Sequence, residues 1–210
     1  IKEQLKEYVR CHEGMRYQEA EERILDIMDK INLKDGKRVL NSYAFELSGG
    51  MCQRAAIALS MVFHPKLLFA DEPTSALDVM VQSQVVDELI KIRDDYGTAI
   101  FIVSHNMGVI SHMVDRIIVM FAGMIVEMGS RADIIERARH PYTKNLIRAI
   151  PKMACPAPKG VHSFQFDRRS EKCPIYHDCK IKKEICAAGM PELLEVDEGH
   201  FVRCCCKEAL

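Results

Sequence analysis

The segment Leu67-Leu-Phe-Ala-Asp-Glu-Pro-Thr-Ser-Ala-Leu-Asp78 constrains this chain more than any other stretch. Its first four residues are an uninterrupted apolar run, which reads as a parallel strand buried on both faces. Two carboxylates follow at once, and in α/β folds the C-terminal ends of strands are where ligands bind. Upstream, Leu47-Ser-Gly-Gly-Met-Cys-Gln-Arg54 opens a helix on a Ser-Gly-Gly turn. Ser48 is a good N-cap, and glycine lets backbone amides approach a ligand closely. The free N–H groups and the positive end of the helix dipole favour a phosphate there.

The rest of the chain alternates helix and strand around these segments. Residues 1 to about 32 read as two helices broken at Gly14, the second carrying Ala20, Ile24, Ile27, Met28 and Ile31 at helical spacing. The helix after Ser48 runs to His64-Pro65, since proline disfavours helix at the residue before it. A helix after Asp78 buries Val81, Val85, Leu89 and Ile92 and ends at Gly97, and Ala99–Val103 is a second buried strand. A short helix fits Met107–Met113. Arg116–Met120 and Met124–Val126 fit two strands joined at Ala122-Gly123, and Thr143–Ala149 fits a last helix. Buried strands alternating with helices make an α/β layer fold. Beyond Pro151 the prolines and Gly160 read as a linker, and no periodicity returns. Cysteines there take the place of an apolar core, which predicts a small appendage stapled by metal.

Composition narrows the function. Hydrophobic residues make up 48% and charged residues 28%, ordinary for a globular protein, and a net charge of −1 favours neither nucleic acid nor an anionic membrane surface. The longest apolar runs, such as Ile117–Ala122, are too short to span a bilayer. No N-terminal segment reads as a secretion signal, and a start at Ile1 suggests a missing beginning. Seven of nine cysteines follow Ala154. An odd, clustered set is not a disulfide framework; in a reducing cytosol, metal binding is the better use for it. Cys173 and Cys179 have five residues between them, Cys179 and Cys186 six, and Cys204-Cys205-Cys206 follow an acidic stretch. Four thiolates can hold zinc or an iron–sulfur cluster, and these spacings are wider than the close pairs usual for zinc.

Taken in this order, the Ser-Gly-Gly turn, the strand ending in Asp71-Glu72, Ser75–Asp78, and Val-Ser-His105-Asn behind a second strand resemble the nucleotide-binding subunits of ABC transporters. His140-Pro-Tyr-Thr-Lys-Asn-Leu-Ile-Arg-Ala-Ile-Pro151 narrows the resemblance to the ATPases of oligopeptide, dipeptide and nickel importers. It implies a partial P-loop NTPase core with a helical subdomain and a cysteine-rich C-terminal appendage. Residues 1–63 would be the helical subdomain with the signature, 64–139 the second half of the catalytic core, and 140–210 the C-terminal extension. Ser48, Gly49, Gly50, Gln53 and Asp78 would contact nucleotide at a dimer interface. Asp71 would hold Mg²⁺ through water, Glu72 would act as general base, and His105 would orient Glu72 and the attacking water. Cys173, Cys179, Cys186 and Cys204 would hold a 4Fe–4S cluster, with Cys205 or Cys206 able to replace Cys204 and zinc as the alternative metal.

The implied partners are a second ATPase subunit, two transmembrane permease subunits and an extracytoplasmic solute-binding protein, with the chain peripheral on the cytoplasmic face of the membrane and no nucleic acid. Two departures stand out: Cys52 where relatives usually have a basic residue, and Asn106 where many have an aspartate. The Gly-rich phosphate loop ending in Lys-Ser or Lys-Thr, the adenine-stacking aromatic residue and the glutamine loop do not occur in the chain. It is therefore expected to be inactive alone. Two other readings remain: a non-catalytic metal-binding interaction module, and an ABC ATPase of the DNA-repair type, against which the lack of long coiled coils speaks.

Overall fold

A computed structural model describes residues 1–12, 14–75, 77–150, 164 and 172–205. They divide into two compact units, Ile1–His105 and Asn106–Leu210.

The first unit begins with α1 (Lys2–Cys11), α2 (Tyr17–Lys30) and α3 (Gly36–Asn41). A 3₁₀ turn (Ala44–Glu46) leads into α4 (Gly49–Met61), then β1 (Leu67–Asp71), α5 (Val79–Tyr96) and β2 (Ala99–Val103). The apolar stripe of α2 is its buried face: Ala20, Ile24, Ile27 and Met28 are covered by α1 and by α4, which turns Ala55, Ala58 and Met61 inward. Leu89 and Ile92 of α5 are buried, as their spacing predicts. Gly97 ends α5 in the left-handed region, φ +63°, where glycine carries no Cβ penalty.

β1 and β2 pair in parallel, in register from Leu67 opposite Ala99 to Asp71 opposite Val103. The expectation that both are buried on two faces does not hold. Leu67, Phe69, Phe101 and Val103 are exposed, and the Phe69 and Phe101 rings lie against each other 5.3 Å apart. A parallel strand is covered on both faces only inside a larger layered sheet, and among the described residues these two strands pair only with each other.

The second unit contains α6 (Met107–Met113), β3 (Arg116–Phe121), β4 (Met124–Ser130), α7 (Arg131–Ile135) and α8 (Pro141–Arg148). A 3₁₀ turn (Glu184–Ala187) precedes β5 (Leu193–Asp197) and β6 (His200–Arg203). The sheet is antiparallel in the order β3-β4-β6-β5. Its first hairpin turns at Ala122-Gly123, both at positive φ, the conformation that two-residue hairpins require. β4 continues past Val126 to Ser130, where the Ser130 side chain caps α7.

The cysteine-rich segment departs from its sequence reading. It is not a separate appendage without regular structure, because β6 pairs with β4 through Glu127–Val202 and Met128–Phe201. Strand pairing supplies the backbone hydrogen bonds that this segment's weak apolar pattern could not announce. Val202 is fully buried, and Phe121 and Tyr142 pack against the cysteines. The linker from Pro151 to Gly160, and Cys206, lie outside the described residues.

Candidate functional site

The Ser48 turn has a physical reason for each of its residues. Ser48 is extended, and its Oγ accepts the Met51 N–H at 3.3 Å. Asp78 caps α5 in the same way, Oδ1 accepting the Val81 N–H at 3.0 Å. The two capped helix starts share a pocket of about 210 Å³, lined by Ser48, Gly49, Gly50, Arg54, Leu77, Asp78 and Val81. The approach is tight at Gly50 and ordinary at Gly49. A Cβ on Gly50 would stand 3.0 Å from Val81 Cγ1, and one on Gly49 3.5 Å from Leu77 Cδ2. Gln53 is half-buried in the same helical turn and does not line the pocket.

Arg54 ties α4 to α5. Its Nε donates to Glu88 Oε1 at 2.7 Å and its Nη2 to Gln84 Oε1 at 2.9 Å. Glu88 is buried, which pushes its carboxyl above the usual range, while Arg54 pulls it the other way. The sequence motif contains Arg54, but its partner lies 34 residues on, and nothing local announces the pairing.

Cys52, the departure inside the motif, has a local partner. Its Sγ donates to the Ala44 carbonyl at 3.2 Å, joining the first turn of α4 to the 3₁₀ turn before it.

One of the strand-end carboxylates, Glu72, meets His105. Glu72 follows β1 in the left-handed region, φ +46°, uncommon for a residue with a side chain. Its N–H reaches the Val103 carbonyl at 2.9 Å, and its own carbonyl receives the Ser75 N–H and hydroxyl at 3.0 and 2.9 Å. This geometry aims the side chain at the end of β2. Glu72 Oε1 accepts the His105 N–H at 3.1 Å and lies 2.8 Å from His105 Nδ1. With Glu72 ionised, Nδ1 carries the hydrogen of that bond and Nε2 is left for another partner.

Glu72 Oε2 is buried and has no partner among the described residues. Asp71 is exposed at the same strand end. Mg²⁺ keeps most of its waters and takes one or two carboxylates plus substrate phosphates. An exposed Asp71 beside a carboxylate with an unused oxygen fits that requirement. Ala76, within the turn that leads to Asp78, lies outside the described residues.

In the second unit, Cys173, Cys179 and Cys186 are buried around Ile175, and half-buried Cys204 and Cys205 pack against them. None of the described cysteines is joined in a disulfide. Burial pushes Cys173 up to about 11 and Cys205 to about 12, and neighbouring thiols add to both shifts. Four nominated ligands thus share one cluster. Among the described residues, however, no group of three or more His, Cys, Asp or Glu side chains is arranged to hold a metal ion.

Sequence reasoning missed the polar centre of this unit. Glu127 is fully buried on β4 and accepts the Arg139 N–H at 2.6 Å, the His140 N–H at 3.0 Å and His200 Nε2 at 2.9 Å. His140 caps α8 through Nδ1, and burial lowers its pKa to about 4. A valine, a glutamate and a methionine in a row give no sequence signal that the middle one is an internal acceptor.

Comparison with known proteins gives the family likeness of the chain. A family described as "ABC transporter" matches residues 2–75, and one described as "Oligopeptide/dipeptide transporter, C-terminal region" matches residues 126–186. A putative peptide import ATP-binding protein of Brucella ovis is 36% identical over 97% of this chain and 63% of its own length. A probable peptide ABC transporter ATP-binding protein of Sinorhizobium fredii is also 36% identical, over 96% of this chain and 62% of its own. The chain therefore spans less than two thirds of these relatives.

Among solved structures, cbiO1 from Clostridium perfringens, part of the ABC transporter complex cbiONQ, superimposes with a TM-score of 0.53 at 25% identity, over 60% of this chain and 49% of that one. An ATP-binding cassette of an ABC transporter in its ADP conformation gives 0.50 at 19% identity, over 60% of this chain and 48% of that one, a likeness of fold.

Proposed function

The chain belongs to the ATP-binding proteins of ABC transporters, with the C-terminal region of the oligopeptide/dipeptide group, and from this membership we propose that it works in an ATPase that drives peptide import. Two capped helix starts, at Ser48 and Asp78, face a nucleotide held by a second ATPase subunit. Glu72 and His105 act on the chain's own side. The observation that carries this reading is the Glu72–His105 contact at 2.8 Å, directly after the Asp71 strand end.

In the reaction, water attacks the γ-phosphorus as the bond to the β-phosphate oxygen breaks and ADP leaves. Glu72 accepts the proton of that water, and His105 holds Glu72 through Nδ1 while Nε2 faces the phosphate. Mg²⁺, held through water by Asp71, would neutralise charge on the β- and γ-phosphates. Ser48, Gly49 and Gly50 offer N–H groups to the γ-phosphate of the opposing subunit's nucleotide, where the α4 dipole favours negative charge. Gln53 follows on the same helix, outside the pocket lining, and would reach that nucleotide only on dimer closure.

Closure of the two subunits on nucleotide would move two permease subunits between inward and outward states, with an extracytoplasmic binding protein delivering oligopeptides, dipeptides or nickel. No described helix is long and apolar enough to cross a membrane, and peripheral attachment at the cytoplasmic face through the permeases fits this role. The test is nucleotide trapping. In the assembled ATPase, Glu72→Gln keeps ATP bound and stops its cleavage; wild-type turnover in this variant rejects the assignment.

The thiol cluster supports a second element. We propose that Cys173, Cys179, Cys186 and Cys204 hold a 4Fe–4S cluster, on the ground that the first three are buried in one cluster and half-buried Cys204 packs against it. Bound there, it would tie the cysteine segment together. Iron and acid-labile sulfide in anaerobically purified protein test this, and zinc in colourless protein rejects it.

A further inference from the structure

Among the exposed apolar side chains of the first unit, two lie immediately before the phosphate-facing turn. Tyr43 is 67% exposed and Phe45 83% exposed, the most open large hydrophobic side chain described. Their rings are parallel to within 8°, with centroids 5.3 Å apart, an offset stack.

This pair is held in place. The Tyr43 N–H donates to Glu46 Oε2 at 2.7 Å, and the Glu46 N–H returns to the Tyr43 carbonyl at 3.0 Å. The Leu47 N–H and the Cys52 thiol both reach the Ala44 carbonyl, each at 3.2 Å. Cys52 belongs to the first turn of α4. The aromatic pair is thus braced against the same turn that presents Ser48, Gly49 and Gly50, and it is presented to solvent by structure rather than by slack.

Phe45 is three residues from Ser48, so its backbone lies within about 10 Å of the phosphate turn. A nucleotide extended from its terminal phosphate to its base covers a similar length. Every base offers a π-face, and aromatic rings bind it without reading its identity. We propose that Tyr43 and Phe45 form a stacking platform for the base of the nucleotide held by the opposing ATPase subunit. The proposal rests on the reading of Ser48–Gly50 as a phosphate contact in a two-subunit site. It gives Cys52 a positioning role, through its bond to the Ala44 carbonyl.

The test uses the ATPase dimer that contains this chain, with Glu72→Gln and its counterpart in the opposing subunit to stop hydrolysis. Dimer closure is titrated with ATP and with ribose 5′-triphosphate, which keeps the phosphates and lacks the base. Stacking of about 1–3 kcal/mol per base predicts that Phe45→Ala raises the ATP concentration for half-closure about tenfold and leaves the ribose 5′-triphosphate value unchanged. Phe45→Trp restores the ATP value, and Ser48→Arg raises both values.

If Ser48→Arg acts on both nucleotides while Phe45→Ala acts on neither, or on both equally, the platform alone is overturned. Unchanged closure of Phe45→Ala together with lost peptide uptake also overturns it and assigns the pair to the membrane subunits. If Ser48→Arg changes neither value, the phosphate reading falls and the platform with it.

Discussion

Among the described residues are two glutamate–histidine pairs of nearly equal length, and they do opposite things. Glu72 and His105 lie 2.8 Å apart, with side chains 33% and 82% exposed. Glu127 and His200 lie 2.9 Å apart, with side chains 0% and 1% exposed. Glu127 also receives the N–H groups of Arg139 and His140, so both of its oxygens are engaged. Glu72 leaves Oε2 without a partner among the described residues and sits at φ +46°. A carboxylate with every acceptor engaged holds structure in place. One kept with an unused oxygen, on a backbone in an uncommon conformation, has capacity for a reacting group. The pair chemistry is shared; burial and the number of filled acceptors separate the roles.

The largest expected effect lies on the exposed pair. General base catalysis contributes about 10²–10⁴-fold, so Glu72→Gln lowers phosphate release from the assembled ATPase by that factor. The melting transition moves by no more than about 1 kcal/mol, since the amide keeps an oxygen to accept the His105 N–H. A large loss of stability with normal turnover would reverse the comparison.

The buried pair predicts the converse. Glu127→Ala leaves one imidazole and two backbone N–H groups without their acceptor. Breaking a buried pair of this kind costs about 3–5 kcal/mol, read as a lower denaturant midpoint of the 210-residue chain. A loss below about 1 kcal/mol would remove the distinction between the pairs.

His140 sharpens it through pH. Its pKa is about 4 in the fold because burial disfavours the cation and Lys144 repels it. An unfolded histidine titrates near 6.5. The unfolded state therefore binds the extra proton between these values, and stability falls as pH drops from about 6.5 to about 4. The loss over that window is about 3 kcal/mol. His140→Asn keeps a side-chain acceptor for the Tyr142 N–H and lacks the titration, so its stability changes by about 3 kcal/mol less than the parent's over the same range. An equal slope in the variant would assign the effect elsewhere.

How far the sequence discloses each region follows from the range of its interactions. Ser48, Asp71, Glu72 and Asp78 lie in short motifs whose local geometry does the positioning, so motif and site coincide. The helical stripe of α2 and the turn at Ala122-Gly123 are legible for the same reason. α3 and α7 are six and five residues long, too short for a 3.6-residue period to repeat.

The hairpin β5–β6 depends on Glu127 meeting His200, 73 residues later, and Arg54 on Glu88, 34 residues later. Such contacts have no signature in either segment alone. The exposure of Phe69 and Phe101 is invisible for a related reason: an apolar run reports what a strand needs for cover, and the cover itself lies elsewhere.

The smallest effects come from two glycines. A Cβ on Gly129 would stand 2.9 Å from the Asp133 Cβ and 3.2 Å from His200 Cδ2. Both neighbours are buried and hydrogen-bonded, so neither can give way, and Gly129→Ala costs about 1–3 kcal/mol by overpacking. A Cβ on Gly50 would press on the half-exposed Val81 Cγ1, at 3.0 Å, with Arg54 Nη1 in ordinary contact at 3.8 Å. There alanine gains about 1 kcal/mol of helix propensity over glycine, which offsets most of the clash, so Gly50→Ala changes stability by less than about 1 kcal/mol. What it changes is spacing: α5 is pushed away from the Ser48 turn, and more nucleotide is needed to close the ATPase dimer. Denaturant melts of both variants, with ATP titration of the second, check the pair. If Gly50→Ala lost as much stability as Gly129→Ala and kept its response to ATP, the pocket between α4 and α5 would be ordinary helix packing rather than part of a nucleotide site.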